Sequence, residues 1–216
     1  MAQDPIVKIE PLEKTYGDVT VLSLERVVLQ SGDRVVISGE NGSGKSTLLK
    51  ILAGLVKISS GVEFRCKNWN DLSIGFLPQE GGIYRDLSVR ENLAITHRLL
   101  GASLKTERSL QLAERFGLTN LMDKRVELLS GGYRRLVALF CLLSSGADIL
   151  FMDEPLASID PIKQGAIEDA LKELANDFQL IVISEHINNI PVADRSSFWK
   201  SQIQLESTNY AHAAQA

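Results

Sequence analysis

The stretch that most constrains this 216-residue chain is Gly39-Glu40-Asn41-Gly42-Ser43-Gly44-Lys45-Ser46. A short apolar run, Arg34-Val35-Val36-Ile37-Ser38, leads into it. Leu48, Leu49, Ile51, Leu52 and Leu55 follow at helical spacing. The expected local structure is a strand, a glycine-rich turn and a helix. Glycines let successive backbone N–H groups wrap a phosphate chain without Cβ clashes, and the helix N-terminus adds positive potential. Lys45 is placed to reach terminal phosphates, and the Ser46 hydroxyl suits Mg²⁺. A chain of this composition matches the pattern by accident only about 1% of the time. Nucleotide binding follows from the loop, but the loop alone leaves kinase, GTPase and ATPase open.

Composition narrows the rest. Lys plus Arg number 23 against 27 Asp plus Glu, a formal charge of −4, which excludes a strongly basic nucleic-acid scaffold and a polybasic membrane anchor. The longest apolar run, Leu136 to Leu143, is eight residues, whereas a membrane-spanning helix needs about 20. Met1-Ala2-Gln3-Asp4-Pro5 has no basic start and no apolar stretch behind it, so no signal peptide is expected. Cys66 and Cys141 stand alone, which suits reduced thiols and neither a disulfide framework nor a metal cluster. The expectation is a soluble cytoplasmic protein, for which any membrane role requires a separate polypeptide.

Residues 6–38 read as β-structure, with short strands again at 62–65 and 73–77. Residues 86–145 change character: helices are expected at about 88–100, 106–117 and 131–144, punctuated by Gly101, Gly117 and Gly131-Gly132. Ile149-Leu150-Phe151-Met152 and Leu180-Ile181-Val182-Ile183 are apolar strands. The helix between them starts at Asp160-Pro161, with Ile162, Ala166, Ala170, Leu171 and Leu174 on one face. This predicts a parallel sheet with a right-handed crossover. The expected organisation is one domain over 1–206, with a core of 1–80 and 146–206, an inserted helical subdomain at about 81–145, and a frayed tail from Ser207.

A second set of residues narrows the chemistry. Met152-Asp153-Glu154-Pro155 ends an apolar strand, where Asp153 is placed to hold Mg²⁺ and Glu154 to orient or deprotonate a water. Leu129-Ser130-Gly131-Gly132 opens a helix, 23 positions before Asp153 when counted from Ser130. Taken singly, each has a plainer reading. Ser130 is then an N-cap, Tyr16 a packed aromatic, Gln79 a solvated amide and His186 a strand-end imidazole.

Taken together and in order, these motifs resemble the nucleotide-binding subunit of ATP-binding cassette (ABC) ATPases over residues 6–200. The resemblance implies an α/β P-loop NTPase fold, with a RecA-like parallel sheet, an antiparallel β-subdomain and an inserted α-helical subdomain. It implies that Tyr16 stacks on adenine, and that Gly39, Asn41, Gly42, Ser43, Gly44, Lys45, Ser46 and Thr47 hold the phosphates of ATP. Ser46, Gln79 and Asp153 are then the Mg²⁺ side, Glu154 the catalytic carboxylate and His186 the group at the γ-phosphate. Ser130, Gly131 and Gly132 are expected to contact ATP held by a second subunit, and Ser158-Ile159-Asp160 to meet that subunit.

The resemblance also implies partners: a second ABC subunit in a head-to-tail homodimer, integral-membrane transmembrane subunits, and no nucleic acid. The chain is then peripheral on the cytoplasmic face of the inner or plasma membrane. Arg134-Arg135 and Leu87-Ser88-Val89-Arg90-Glu91-Asn92-Leu93 look like exporter subunits. The alternative is a soluble, non-transporting ABC ATPase of the iron–sulfur assembly type. Two departures stand out: Tyr133 where the family usually has Gln, and Cys141 where it usually has Arg.

Overall fold

The computed structural model describes residues 5–57, 62–64, 72–100, 106–186, 199 and 201–205. The expected tail from Ser207, the thiol of Cys66 and the end of the 62–65 strand at Arg65 lie outside them. The chain divides into two compact units, Met1–Asp71 with Leu180–Ala216, and Leu72–Gln179.

In the first unit, β1 (Pro5–Ile9), β4 (Val27–Gln30) and β6 (Val62–Phe64) form an antiparallel sheet in the order β4-β1-β6. β2 (Leu12–Tyr16) and β3 (Val19–Leu24) form a separate antiparallel hairpin, turning where Gly17 takes a positive φ of 58°. Within the expected β segment 6–38, β3 and β4 are separated at Glu25-Arg26. β5 (Asp33–Gly39) lies between β9 (Leu180–His186) and β10 (Ser201–Leu205), all parallel. β5 is buried from Arg34 to Gly39, as the near-continuous apolar strands of parallel sheets usually are. The helix after the loop, α1 (Lys45–Leu52), buries Leu48, Leu49, Ile51 and Leu52. Leu55 departs from expectation: α1 stops at Leu52, Gly54 takes a φ of 72°, and Leu55 is 61% exposed.

In the second unit, β7 (Ile74–Leu77) and β8 (Ile149–Asp153) pair in parallel. α2 (Val89–Leu99) starts at a capping box in which Ser88 and Glu91 exchange side-chain and backbone hydrogen bonds. α3 (Thr106–Arg115) and α2 both pack on α4 (Gly131–Ser144), which is buried at every position from Arg135 to Ser144. α4 is the apolar centre of this unit. α5 (Pro161–Glu173) is capped by Asp160, whose carboxylate accepts from the Lys163 N–H. Its buried face is Ile167, Ala170 and Leu171. Ile162, expected on that face, is 88% exposed because the buried stripe begins a turn later. Among the described residues, no helix is long and apolar enough to cross a membrane.

Candidate nucleotide site

The phosphate loop belongs to the first unit and is built by close approaches that exclude side chains. A Cβ on Gly39 would lie 2.4 Å from Ser43 Oγ and 2.6 Å from the Leu205 carbonyl oxygen. A Cβ on Gly44 would lie 2.5 Å from the Val21 carbonyl oxygen, and Gly44 has a φ of 92°. Gly42, at φ 81°, turns the loop back toward α1. Gly44 is also the N-cap of α1 and brings no side-chain cap to the helix end.

Lys45 is buried, and its ammonium donates to the carbonyls of Gly39 (2.9 Å) and Glu40 (2.7 Å). The charge is therefore held at the loop by short bonds to the loop's own backbone. Ser43 Oγ is buried and has no hydrogen-bond partner among the described residues. Such an orphaned hydroxyl in a glycine cradle fits an oxyanion ligand. Ser46 and Thr47 are half-buried on the first turn of α1, and Asn41 is exposed. His186 ends β9 in register with Gly39, so its half-buried side chain starts beside the loop's first residue. Tyr16 ends β2, 54% exposed, with the Lys14 ammonium 5.1 Å from its ring centroid. A large exposed ring of this kind suits a stacking platform.

The carboxylates belong to the second unit. Asp153 is buried at the C-terminal end of β8, and Glu154 follows at a φ of 46°, a left-handed value that non-glycine residues seldom adopt. Gln79 Nε2 donates to Glu154 Oε2 at 3.1 Å, joining two residues 75 positions apart. Hydroxyl, amide and carboxylate oxygens of Ser46, Gln79 and Asp153 are the hard donors that Mg²⁺ takes. Among the described residues, no three His, Cys, Asp or Glu side chains cluster as a metal site. Mg²⁺ bound with phosphates and water needs only one or two carboxylates, and the oxygen chemistry of each of these residues suits it.

Ser130 caps α4, its Oγ accepting from the Tyr133 N–H at 3.4 Å, so the plain capping role is real. Ser130 and Gly131 are exposed as well. A Cβ on Gly132 would lie 2.8 Å from the carbonyl oxygen of Ser158, which itself has a φ of 63°. Tyr133, the departure from the family pattern, has the Lys163 ammonium 3.7 Å from its ring centroid. Lys163 also pairs with Asp160 at 3.3 Å. Partial burial works against the Lys163 charge, but Tyr133 and Asp160 outweigh it and raise its pKa above the ordinary value.

Two residues escaped the sequence reading. Lys163 carried no motif. Arg135 was read only as half of an Arg-Arg pair, yet its guanidinium donates to the carbonyls of Pro78, Asp153, Glu154 and Pro155. The available signal was its register: Arg135 shares a helical stripe with the buried Leu139 and Leu142.

Comparison with known proteins identifies the family. Residues 25–157 match the family model described as ABC transporter. The chain is 32% identical over 186 residues to the lantibiotic transport ATP-binding protein SrtF of Streptococcus pyogenes, covering 84% of this chain and 80% of that one. It is 35% identical over 162 residues to the maltose/maltodextrin import ATP-binding protein MalK of Escherichia coli, covering 71% and 44% respectively. A solved putative ABC transporter ATP-binding protein from Pyrococcus furiosus superposes with a TM-score of 0.76 at 25% identity, covering 92% of this chain and 96% of that one.

Proposed function

Because the chain belongs to the family of ABC transporter ATP-binding subunits, which hydrolyse ATP to power transport, we propose that it drives an exporter as one half of an ATP-closed dimer. The observation that carries the hydrolytic reading is the Gln79–Glu154 hydrogen bond at 3.1 Å. It presents one carboxylate oxygen and one amide together, as a water-orienting pair requires.

In this reading ATP is cleaved by in-line attack of water on the γ-phosphate, and catalysis is positioning plus charge neutralisation. Lys45 leaves its carbonyl partners at Gly39 and Glu40 for the terminal phosphates. The loop amides and Ser43 take the remaining oxygens, and Tyr16 stacks on adenine. Glu154 accepts the water proton or fixes the water's orientation, and His186 hydrogen-bonds the γ-phosphate. Mg²⁺, held by Ser46, Gln79 and Asp153, supplies charge neutralisation when bound. Ser130 and Gly131 are exposed and Gly132 is half-buried on their own subunit, which supports their acting in trans on a second copy's ATP.

The same reading keeps one domain over 1–206, with residues 81–145 as its inserted helical subdomain. The membrane half is a separate integral-membrane subunit, which places the ATPase at the cytoplasmic face. Export is supported by the Arg134-Arg135 pair, whereas MalK is named as an importer.

Sedimentation of Glu154→Gln tests the dimer: the variant shifts from monomer to dimer on adding ATP, and a sedimentation coefficient unmoved by ATP overturns it. Co-purification in detergent tests the membrane role. A multi-span partner retained with the chain supports it; purification of the chain alone favours a soluble ABC ATPase.

A further inference from the structure

Arg135 is the one charged residue in the buried stretch of α4 from Arg135 to Ser144. A guanidinium in such a setting is unfavourable unless its donors are met. Here Nη1 donates to the Pro78 carbonyl at 2.5 Å, Nη2 to those of Asp153 (2.5 Å) and Glu154 (2.9 Å), and Nε to that of Pro155 at 3.4 Å.

These acceptors belong to two separate segments. One is the peptide that leads into Gln79. The others are consecutive peptides at and beyond the end of β8. Glu154 needs such a hold, because its φ of 46° is a conformation that a residue with a Cβ keeps only when its surroundings impose it. From that backbone its carboxylate meets Gln79 Nε2.

The geometry points to Arg135 as a positioning residue for hydrolysis: its planar fork locks the backbone on both sides of the Gln79–Glu154 pair, so that amide and carboxylate hold one water in line. This rests on the roles given above to Glu154 and Gln79. Neither Lys nor Gln replaces it. Lys offers a point charge on a flexible stem, and Gln a single NH₂ group. α4 also begins at Ser130–Gly132, so one helix carries the signature residues at its start and the clamp on the catalytic peptides within its second turn. A displacement of α4 by a contact at Ser130–Gly132 reaches Glu154 through Arg135.

The test is steady-state hydrolysis of Mg-ATP by the full chain, with ATP binding measured on the same samples. In Arg135→Gln, KM and ATP affinity stay within about two-fold while kcat falls about 10²-fold, the loss expected from misplacing reacting groups by an ångström. Arg135→Lys retains an intermediate kcat. Added guanidinium chloride at non-denaturing concentration restores part of the kcat of Arg135→Ala and none of Glu154→Gln. The double variant Arg135→Gln/Glu154→Gln is no slower than Glu154→Gln alone.

A wild-type kcat in Arg135→Gln overturns the proposal, as does a raised KM with kcat unchanged. If Arg135→Gln does not fold, Arg135→Lys decides by the same separation of kcat from KM. A Glu154→Gln enzyme that turns over like wild type removes the underlying hydrolytic reading instead. An inactive Glu154→Gln beside an unimpaired Arg135→Gln removes only the role of Arg135.

Discussion

The phosphate loop of the first unit and the end of β8 in the second both present polar groups on a restrained backbone, by opposite means. The loop works through missing side chains: Gly39 and Gly44 sit where a Cβ would collide with backbone. Its lysine is held by carbonyls five and six positions away. The β8 end works through an added side chain. Glu154 keeps its φ of 46° beneath a guanidinium that also holds a carbonyl 57 positions away from it in sequence. A local device is written in consecutive residues, and a non-local one only in the folded chain.

The sharpest way to break this comparison is to strip one charge from each. Lys45→Ala loses ATP binding and turnover together. Glu154→Gln keeps ATP binding and loses about 10²- to 10⁴-fold in turnover. Equilibrium ATP binding alongside phosphate release separates them, and a Glu154→Gln chain that no longer binds ATP would collapse the two regions into one function.

Backbone strain gives the next largest effect. Gly44→Ala meets the Val21 carbonyl at a φ of 92° and destabilises the protein by about 1–3 kcal/mol. Gly131→Ala, with nothing within 4 Å of the new methyl, loses no stability. Denaturant melts of both variants measure the difference; equal losses would show that the loop is not specially crowded.

A smaller effect is expected at Tyr133. Lys163→Met removes the ammonium from over the ring and lowers the melting temperature by about 1–3 °C. An unchanged melting temperature would mean that the pair is incidental.

The smallest expected signal is at Cys141. Burial pushes its thiol up to about 12, with the Thr96 hydroxyl opposing weakly, so almost no thiolate exists at pH 8. Cys141 in the folded protein stays unmodified by a thiol reagent at that pH, read by intact mass, and reacts once denatured. Modification under native conditions would show that α4 opens readily.

The contrast also explains what could be read from residues alone. The helix at 131–144 was read to its observed limits, because Ser130 caps it and an eight-residue apolar run fills it. α2 lies within a residue of its expected ends, for its capping box is local. β2 lies within the expected β segment 6–38, whereas β10 was missed: Ser-Gln-Ile-Gln-Leu is short and polar, and its partner strand defines it. On α5, Ala170 and Leu171 are buried as expected; Ile162 fits the helical period but stays exposed, because tertiary packing begins the buried stripe at Ile167. Gln79 and Glu154 were named from their motifs. The clamp that joins them was not, because Arg135 finds its acceptors across 18 to 57 positions of chain.

The register of β5 has a consequence for how the protein is made. Gly39 is flanked by His186 on one side and by Leu205 on the other, both more than 140 positions later in the chain. During synthesis the loop sequence leaves the ribosome before its neighbours, and its strand, with Val35, Val36 and Ile37 at its centre, stays open-edged until β9 and then β10 have been translated. Until β9 and β10 have been translated the nucleotide cradle is incomplete. A product truncated before Ser201 would expose one edge of β5 and be a substrate for aggregation and quality control, although every residue of the phosphate loop is present.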